Sequence, residues 1–250
     1  MSKNIGIIFA GGVGQRMGEN QIPKQFLVVN EKPVMIHTLE YFEKHPEIDE
    51  IYIACIEDWI EHLNKIIEKY EISKVKSIIP GGGTAQDSIY NALKEAKKHC
   101  ANDDIVLIHD GVRPLITPEL ISKVIESTKE KGNGITSTPC YETIVISDDN
   151  EQVKEVPLRK NTHAVQAPQG FFLKDIIDVH DEIRRINPTY ENMVDACTMC
   201  KVLGKDVHMV RGNRGNIKVT TPEDIFILEA LLKYKKSEEI LGISFLNTST

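Results

Sequence analysis

The feature that most constrains the fold of this chain is an apolar run that ends abruptly in glycine. Residues 5–10 are apolar or glycine, and glycine then occupies four of the next eight positions. An uninterrupted apolar run is typical of a strand buried on both faces of a parallel sheet, because a half-buried strand would alternate apolar and polar residues. We therefore expect an α/β domain in which this strand leads into a tight loop.

The loop after this strand has the composition of a phosphate-binding loop. Without a Cβ atom, Gly11, Gly12 and Gly14 allow their backbone N–H groups to approach an anion closely. Arg16 and Lys24 add positive charge beside those amides, as a bound triphosphate requires. The spacing fits neither the G-x-G-x-x-G pattern nor the P-loop pattern, so an ordinary strand-to-helix turn remains the alternative interpretation.

Composition excludes several classes of partner. The net charge of −7 and the isoelectric point near 5.7 argue against a protein whose main partner is nucleic acid or an anionic membrane. No apolar stretch approaches the roughly 20 residues of a membrane helix, and residues 1–4 leave no room for a signal peptide. We therefore expect a cytoplasmic protein.

The cysteines agree with a reducing compartment. There are five, an odd and scattered set, which favours free thiols. Cys197 and Cys200 have the spacing of a redox or zinc pair. Neither a second pair nor a nearby histidine completes a zinc site, so this role is the less favoured one.

Strand-like and helix-like segments alternate through the first half of the chain. The predicted strands are residues 5–10, 51–55, 75–79, 105–109 and 135–139, and the predicted helices are residues 34–43, 60–70, 88–100 and 118–131. This order requires crossover connections, and hence a Rossmann-like, mostly parallel sheet with helices on both faces. Because such sheets bind ligands at the carboxyl ends of their strands, the site should be formed by residues 11–24, 81–88 and 109–114.

The second half of the chain departs from this alternation. Residues 143–147 and 153–156 flank a turn-rich segment and predict a β-hairpin arm at about 141–158. After the arm we predict strands at 165–172 and 207–210, helices at 173–186 and 194–203, and a final helix that begins after Thr221. The whole of 1–235 is predicted to form one domain, and 236–250 a loosely held polar tail.

Three groups of residues at the expected site have chemistry that can be assigned from the sequence. Gly82 and Gly83 follow the third strand and would admit a base or ribose, although a capped helix start is equally consistent. Asp110 ends the fourth strand, where Mg²⁺ would reconcile its charge with a triphosphate; Arg113 is then a possible salt-bridge partner. Lys218 stands between apolar neighbours on a predicted short strand, and needs an anionic partner unless it faces solvent.

Taken together, these motifs closely resemble the cytidylyltransferases of polyol phosphates. The matching segments are residues 10–17, 23–26, 109–114, 167–169 and 216–224, in order and within a span from residue 5 to about 232. The resemblance implies a nucleotidyltransferase fold, CTP as co-substrate, Mg²⁺ as cofactor, pyrophosphate as product, and a homodimer in which each arm helps to close the partner's active site. Two branches share the motifs, one acting on 2-C-methyl-D-erythritol 4-phosphate in isoprenoid synthesis and one on D-ribitol 5-phosphate in teichoic-acid or capsule synthesis.

The resemblance also implies roles for individual residues. Arg16, Lys24 and Lys218 would be the catalytic cations. The implied nucleotide-binding residues are Ala10, Gly11, Gly12, Gly14, Gly82, Gly83, Ser88, Asp110 and Gly111, with Asp110 also the metal ligand. The implied substrate-binding residues are Arg113, Thr143, Arg159 and Asp195.

The choice of acceptor depends on a few segments. Trp59, residues 142–147 of the arm, and residues 194–197 look more like the ribitol-phosphate enzymes, so ribitol 5-phosphate is the expected acceptor and methylerythritol phosphate the alternative. The chain departs from the usual family pattern at Ala85, where an arginine is common, and at Val194, where a hydroxyl residue is common. These departures leave a non-catalytic nucleotide-binding regulator as a further hypothesis. A dinucleotide-dependent oxidoreductase would need a glycine at Met17 and an acidic residue after the second strand.

Overall fold

The computed structural model describes residues 2–10 and 22–241. Nine strands are present in this part of the chain: β1 Asn4–Ala10, β2 Val28–Val29, β3 Lys32–Pro33, β4 Glu50–Cys55, β5 Val75–Pro80, β6 Ile105–Asp110, β7 Asn133–Pro139, β8 His163–Phe172 and β9 Met209–Arg211. The α-helices described are α1 Val34–Lys44, α2 Ile60–Lys69, α3 Ala85–Ala96, α4 Pro118–Lys131, α5 Leu173–Ile186, α6 Ala196–Val202 and α7 Pro222–Leu241.

Seven of these strands form one sheet, in the order β5-β4-β1-β6-β8-β7-β9. β1 lies between β4 and β6 and is parallel to both. β8 runs antiparallel to its neighbours β6 and β7, whereas β9 is parallel to β7. The α/β expectation of a mostly parallel sheet is confirmed, with β8 as the reversed strand among those described.

Helices cover both faces of the sheet because the apolar strands have no polar face. Ile5 and Ile7 of β1 pack in a cluster with residues of α3, α5 and α6. Ile8 packs on the opposite face in a cluster with residues of α1, α2 and α4. A smaller third cluster, which includes Val112 and Val219, joins the turn after β6 to the segment before α7. This third cluster lies next to the candidate site.

Side-chain caps stabilise the first turns of α3 and α4. The Thr84 side chain accepts a hydrogen bond from the Asp87 backbone N–H, and the Asp87 side chain accepts one from the Thr84 backbone in return. This is the reciprocal capping box that stabilises a first helical turn. Thr117 caps α4 in a similar way, followed by Pro118 at the first helical position. The capped helix start, one of the two interpretations of the turn at Gly82 and Gly83, is thus confirmed.

The arm is less regular than the sequence predicts. Between residues 141 and 158 the structure has a single antiparallel bridge, Ile146 to Glu155, instead of two paired strands. Val145, Val153 and Val156 are each more than half exposed. An isolated two-stranded ribbon is marginal in water without a further surface to pack on, and the described chain provides none here.

Parts of the second half differ from the prediction. α6 begins at Ala196, two residues later than expected, because Asp195 is its N-cap. Residues 216–220 are not a strand. α7 extends from Pro222 to Leu241, and lysine and glutamate, which are good helix formers, are frequent in its last two turns. No helix of the described residues combines the length and the apolar character needed to cross a membrane.

The burial of His180 in α5 predicts how the stability of the protein depends on pH. Burial, with a smaller effect from the charge of Arg184, lowers the pKa of this histidine to about 3. The unfolded chain, with a histidine pKa near 6.5, therefore binds more protons below that pH than the folded protein does, and the free energy of unfolding falls as the pH decreases. We expect His180 to account for a loss of about 2 kcal/mol between pH 6.5 and pH 5.

Urea unfolding at pH 7 and pH 5 measures this effect. His180→Gln should reduce the difference between the free energies of unfolding measured at pH 7 and at pH 5. His99→Gln, at an exposed position, should leave that difference unchanged. An unaltered pH dependence in His180→Gln would contradict the assignment.

Candidate functional site

The order of the strands reverses between β1 and β6, and we call the region outside the carboxyl ends of these two strands the crevice. The chain passes from β1 to β4 and β5 on one side, and then to β6 on the other side of β1. Ligands of open α/β sheets bind at such a point of reversed strand order. Ala10 is the last residue of β1 and Asp110 the last residue of β6. Two of the predicted site residues therefore end the strands that flank the crevice.

Gly111 is confined against β1. Its backbone N–H donates to the Phe9 carbonyl, with N and O 3.0 Å apart. A Cβ atom at this position would lie 3.2 Å from the Cβ of Ala10, which is tighter than ordinary packing. The absence of a side chain thus lets the turn after β6 lie against the end of β1.

Asp110 is a buried carboxylate held between two cations. Only 5% of the residue is exposed. Its Oδ1 lies 2.6 Å from Nζ of Lys218, and its Oδ2 accepts a hydrogen bond from Nε of Arg113 at 3.2 Å. Burial by itself would raise the pKa of Asp110, but the charges of Lys218 and Arg113 outweigh it and hold the pKa below its ordinary value. Asp110 is therefore ionised at neutral pH.

Arg113 supports this carboxylate from inside the protein. The residue is 8% exposed. Its Nη1 donates to the carbonyl oxygen of Asn216 at 2.6 Å, while its Nε holds Asp110. The predicted salt bridge to Asp110 is present. Because the guanidinium is engaged within the protein, a direct contact of Arg113 with substrate is not favoured by this geometry.

The segment that carries Lys218 is fixed by backbone contacts. The Asn216 side chain donates from Nδ2 to the Ala167 carbonyl at 2.8 Å, and the Val219 N–H donates to the Val112 carbonyl at 2.8 Å. These bonds hold residues 216–219 between β8 and the turn after β6. Lys218 remains partly open, with 41% of its side chain exposed. The predicted anionic partner of Lys218 is thereby identified as Asp110, although the segment is not a strand.

Lys24 is brought to the same edge of the sheet by its two neighbours. The residue begins a 3-10 turn, Lys24–Phe26. The buried side chain of Gln25 donates from Nε2 to the Ala10 carbonyl at 2.9 Å. Phe26 stacks on Trp59, with ring centroids 4.8 Å apart and planes inclined by 17°. Gln25 and Trp59 thus fix the turn that begins at Lys24, and the sequence alone assigned this part to neither residue. The matching segment 23–26 was the available signal for Gln25.

Four predicted site residues of the first glycine loop, Gly11, Gly12, Gly14 and Arg16, lie outside the described residues. Their roles stay predictions.

The second glycine loop is built around Asp87 and Ser88. The Gly82 N–H donates to Ser88 Oγ, and Ser88 Oγ donates to the Thr84 carbonyl, both at 3.0 Å. A Cβ on Gly82 would lie 2.2 Å from the Cβ of Asp87, so this position requires glycine. Gly83 is exposed and unhindered. Ser88 is 1% exposed, and its hydroxyl shapes the loop instead of facing solvent.

The predicted acceptor residues occupy two places. Asp195 is the N-cap of α6: Oδ1 accepts from the Thr198 N–H and hydroxyl at 2.7 Å each, and Oδ2 accepts from Gln169 Nε2 at 3.0 Å. Thr143 and Arg159 belong to the arm and its base, where Arg159 Nη1 donates to the Tyr141 carbonyl at 3.5 Å. Asp110, Arg113 and Lys218 form one ion cluster, the Asp110 cluster. The structure thus gathers Ala10 and the Asp110 cluster at one crevice and keeps Thr143 and Arg159 with the arm.

The described residues contain no group of three or more histidine, cysteine, aspartate or glutamate side chains able to hold a metal ion. Asp110 offers a single carboxylate at the crevice. Its buried Oδ1 accepts no hydrogen bond of good geometry and meets Lys218 as an ion pair. One carboxylate suits Mg²⁺ when phosphate oxygens and water complete the octahedron, and Asp110, whose oxygens already meet Lys218 and Arg113, fits that mode of binding.

Comparison with known proteins gives a consistent result. Residues 5–234 match the family model IspD, 2-C-methyl-D-erythritol 4-phosphate cytidylyltransferase. A ribitol-5-phosphate cytidylyltransferase of Vibrio parahaemolyticus is 44% identical over 239 residues, 96% of this chain and 100% of the relative. A 2-C-methyl-D-erythritol 4-phosphate cytidylyltransferase of Clostridium botulinum is 39% identical over 233 residues, 93% of this chain and 99% of the relative.

Solved structures show the same fold. The 4-diphosphocytidyl-2C-methyl-D-erythritol synthase of Anaerococcus prevotii superposes with a TM-score of 0.78 at 29% identity, covering 93% of this chain and 96% of that one. The 2-C-methyl-D-erythritol 4-phosphate cytidylyltransferase of Francisella tularensis gives a TM-score of 0.75 at 27% identity, covering 92% and 99%.

The two cations of the Asp110 cluster should differ in their effect on stability. Arg113→Met removes a buried partner of Asp110 and the shorter of the two hydrogen bonds to the Asn216 carbonyl, which should lower the free energy of unfolding by about 3 to 5 kcal/mol. Lys218→Met removes a partly exposed partner of the same buried carboxylate, and because water can reach the position that it leaves, the loss should be smaller, about 1 to 3 kcal/mol. Denaturant unfolding of the two variants measures both losses in the free energy of unfolding. Equal losses would contradict the conclusion that Arg113 is a buried structural partner of Asp110 and that Lys218 is a partly open one.

Proposed function

The chain belongs to the 2-C-methyl-D-erythritol 4-phosphate cytidylyltransferase family, and from that premise we propose that it transfers CMP from CTP to D-ribitol 5-phosphate and releases pyrophosphate. The acceptor is supported by the relatives: the Vibrio ribitol-5-phosphate enzyme shares more of its sequence with this chain than the Clostridium methylerythritol-phosphate enzyme does, over a similar length. That difference is the observation on which the choice of acceptor rests.

The reaction needs positioned charge and no covalent nucleophile. An oxygen of the acceptor phosphate attacks the α-phosphorus of CTP, the new P–O bond forms, and the bond from the α-phosphorus to the β-phosphate bridge breaks with release of pyrophosphate. Negative charge grows on the equatorial oxygens and on the leaving group. Fixed cations that stabilise this charge lower the barrier, and Arg16, Lys24 and Lys218 are the cations that we assign to this role.

The crevice between β1 and β6 suits a nucleotide in this reaction. Its Lys218 side chain is partly exposed and its Lys24 is anchored through Gln25 to the end of β1. The exposed Gly83, in the loop before α3, provides backbone surface that a base or ribose can approach closely. Gly111 would contribute by letting the turn after β6 lie against the end of β1. Ser88 would hold the loop before α3 in place through its hydrogen bonds to Gly82 and Thr84.

We assign Mg²⁺ binding to Asp110. Bound there, the ion would neutralise charge on the triphosphate, as such ions do in nucleotidyl and phosphoryl transfer. Asp110 itself is ionised and rigidly held by Arg113, so it presents a charged oxygen without having to lose a proton. Arg113 would act by orienting Asp110 rather than by touching substrate.

The acceptor is proposed to lie near Asp195, with Thr143 and Arg159 of the arm recognising its hydroxyls and phosphate.

The arm exposes an unusual number of apolar side chains for a free segment: Tyr141, Ile144, Val145, Ile146, Val153, Val156 and Leu158. Burial of such side chains against a second subunit would order the arm. We therefore propose a homodimer, which sedimentation of the purified protein tests directly; a monomer at micromolar concentration would contradict it.

The five cysteines are all unpaired, which supports a cytoplasmic location. Burial raises the pKa of the Cys200 thiol to about 11 and also raises that of Cys197. Raised thiol pKa values do not favour redox or zinc chemistry at this pair.

Pyrophosphate release decides between the functional hypotheses. With CTP and Mg²⁺, we expect release with D-ribitol 5-phosphate and far less with 2-C-methyl-D-erythritol 4-phosphate. The reverse preference would assign the protein to the methylerythritol-phosphate branch. CTP binding without release, whichever polyol phosphate is supplied, would indicate a nucleotide-binding regulator.

Lys24 and Lys218 are the two proposed catalytic cations among the described residues. Removal of either should abolish most turnover without unfolding the protein. Lys24→Ala and Lys218→Ala should each reduce kcat by a hundredfold or more, because a transition-state charge contact is typically worth about 2 to 4 kcal/mol. Lys233→Ala removes a lysine from a surface pair on α7 and serves as the control with unchanged kcat. Near-normal turnover in Lys24→Ala or Lys218→Ala would reject the role of that residue.

A further inference from the structure

Arg184 of α5 makes a contact that its neighbour Arg185 does not. Nη1 of Arg184 lies 2.7 Å from Oδ1 of Asp87 on α3, 97 residues earlier in the chain. Arg185 pairs with Glu182 on its own helix, and 70% of the Arg185 side chain is exposed. One arginine therefore joins two helices, and the other lies on the surface.

The Asp87 carboxylate is the group on which the second glycine loop is folded. Its Oδ2 accepts from the Thr84 N–H at 3.2 Å and from the Thr84 hydroxyl at 2.9 Å. Its Cβ occupies space that a side chain on Gly82 would need. Because Arg184 binds the other oxygen, Oδ1, the guanidinium limits rotation of this carboxylate. The loop of residues 81–84 is thus held indirectly by Arg184.

The same guanidinium contacts the segment that leads to Asp195. Its central carbon lies 4.8 Å from the ring centroid of Tyr90 and 5.5 Å from that of Tyr190. Tyr190 is 4% exposed, and its hydroxyl lies 2.8 Å from Nδ1 of His180. Cation–π contacts of this kind are strongest when the cation is partly desolvated. Tyr190 belongs to residues 187–195, the connection between α5 and α6.

A second contact joins the same two regions. Nε2 of Gln86, a residue 3% exposed, donates to the Val194 carbonyl at 3.1 Å. The first turn of α3, on which residues 81–84 are folded, is therefore connected to residues 187–195 by two buried or half-buried contacts, one through Gln86 and one through Asp87, Arg184 and Tyr190. Displacement of either region would strain the other.

We propose that Arg184 is a positioning residue that couples the nucleotide loop, residues 81–84, to the acceptor segment, residues 187–195. The proposal rests on the function proposed above, which assigns these two regions to CTP and to the polyol phosphate. Arg184 touches neither substrate; it acts through Asp87 on one side and Tyr190 on the other. Loss of the guanidinium should weaken binding of both substrates, because coupling between sites is reciprocal.

The test compares Arg184→Met with the matched control Arg185→Met in the full-length enzyme. For Arg184→Met we expect the KM for CTP and the KM for the acceptor each to rise by about tenfold, within the usual range of coupling between sites, and kcat to stay within about threefold. For Arg185→Met we expect no change in either constant. Unchanged KM values in Arg184→Met, or a fall in kcat alone, would overturn the proposal.

A second variant separates positioning from direct contact. Asp87→Asn weakens the same ion pair, so it should reproduce the KM changes, and the double variant Arg184→Met/Asp87→Asn should be no worse than Arg184→Met alone. If Asp87→Asn leaves both KM values unchanged while Arg184→Met raises that of CTP, the arginine binds the nucleotide itself, and the coupling proposal is wrong.

Hydrogen exchange provides a readout that does not depend on activity. The Thr84 amide bonds directly to Asp87, so it should exchange about tenfold faster in Arg184→Met and at the parental rate in Arg185→Met. Equal rates in the two variants would overturn the proposal even if neither acceptor supports turnover, whereas faster exchange in an enzyme inactive on both acceptors would contradict the proposed function alone.

Discussion

The ion cluster around Asp110 determines how the crevice is built. A carboxylate buried at the end of a central strand is costly unless cations and hydrogen bonds compensate it. Arg113 comes from the same turn, whereas Lys218 comes from more than a hundred residues later in the chain. The segment before α7 must therefore lie against the turn after β6, and the Asn216 and Val219 contacts hold it there.

The same cluster gives the site its chemical character. Arg113 is buried and bound on both sides, so it sets the position of the carboxylate. Lys218 is paired with Asp110 yet partly open to solvent, so its charge is fixed in place and accessible to an anion. A cation prearranged in this way needs little reorganisation when negative charge develops nearby. Stability and catalytic potential thus depend on one carboxylate with two unlike partners.

Local sequence signals predicted most of the first half of the fold. Apolar runs marked β1, β4, β5 and β6. α3 begins at Ala85 instead of the predicted residue 88, because Thr84 and Asp87 form its capping box. The direction of β8 was not predicted, because an apolar run carries no information about whether its neighbours are parallel. The paired strands expected in the arm are reduced to one bridge, since their apolar side chains have no surface in the described chain to pack on.

Site residues were predictable where they end a strand and not where they depend on distant partners. Asp110 and Gly111 follow directly from the position of β6. The burial of Ser88 and Arg113 reflects contacts with Gly82 and Asn216, and the pairing of Asp87 with Arg184 spans 97 residues. No local pattern reports such contacts, because they arise only when separate elements pack together.

The ionisation of Asp110 is the most direct test of this account. Protein labelled with ¹³C at the aspartate carboxyl carbons, with the Asp110 signal assigned by its absence in Asp110→Asn, can be followed by NMR between pH 8 and pH 5. If Lys218 and Arg113 outweigh the effect of burial, the Asp110 signal will stay at the position of an ionised carboxylate throughout. A titration midpoint for Asp110 within that range would show that burial dominates, and would contradict the arrangement on which the proposed site depends.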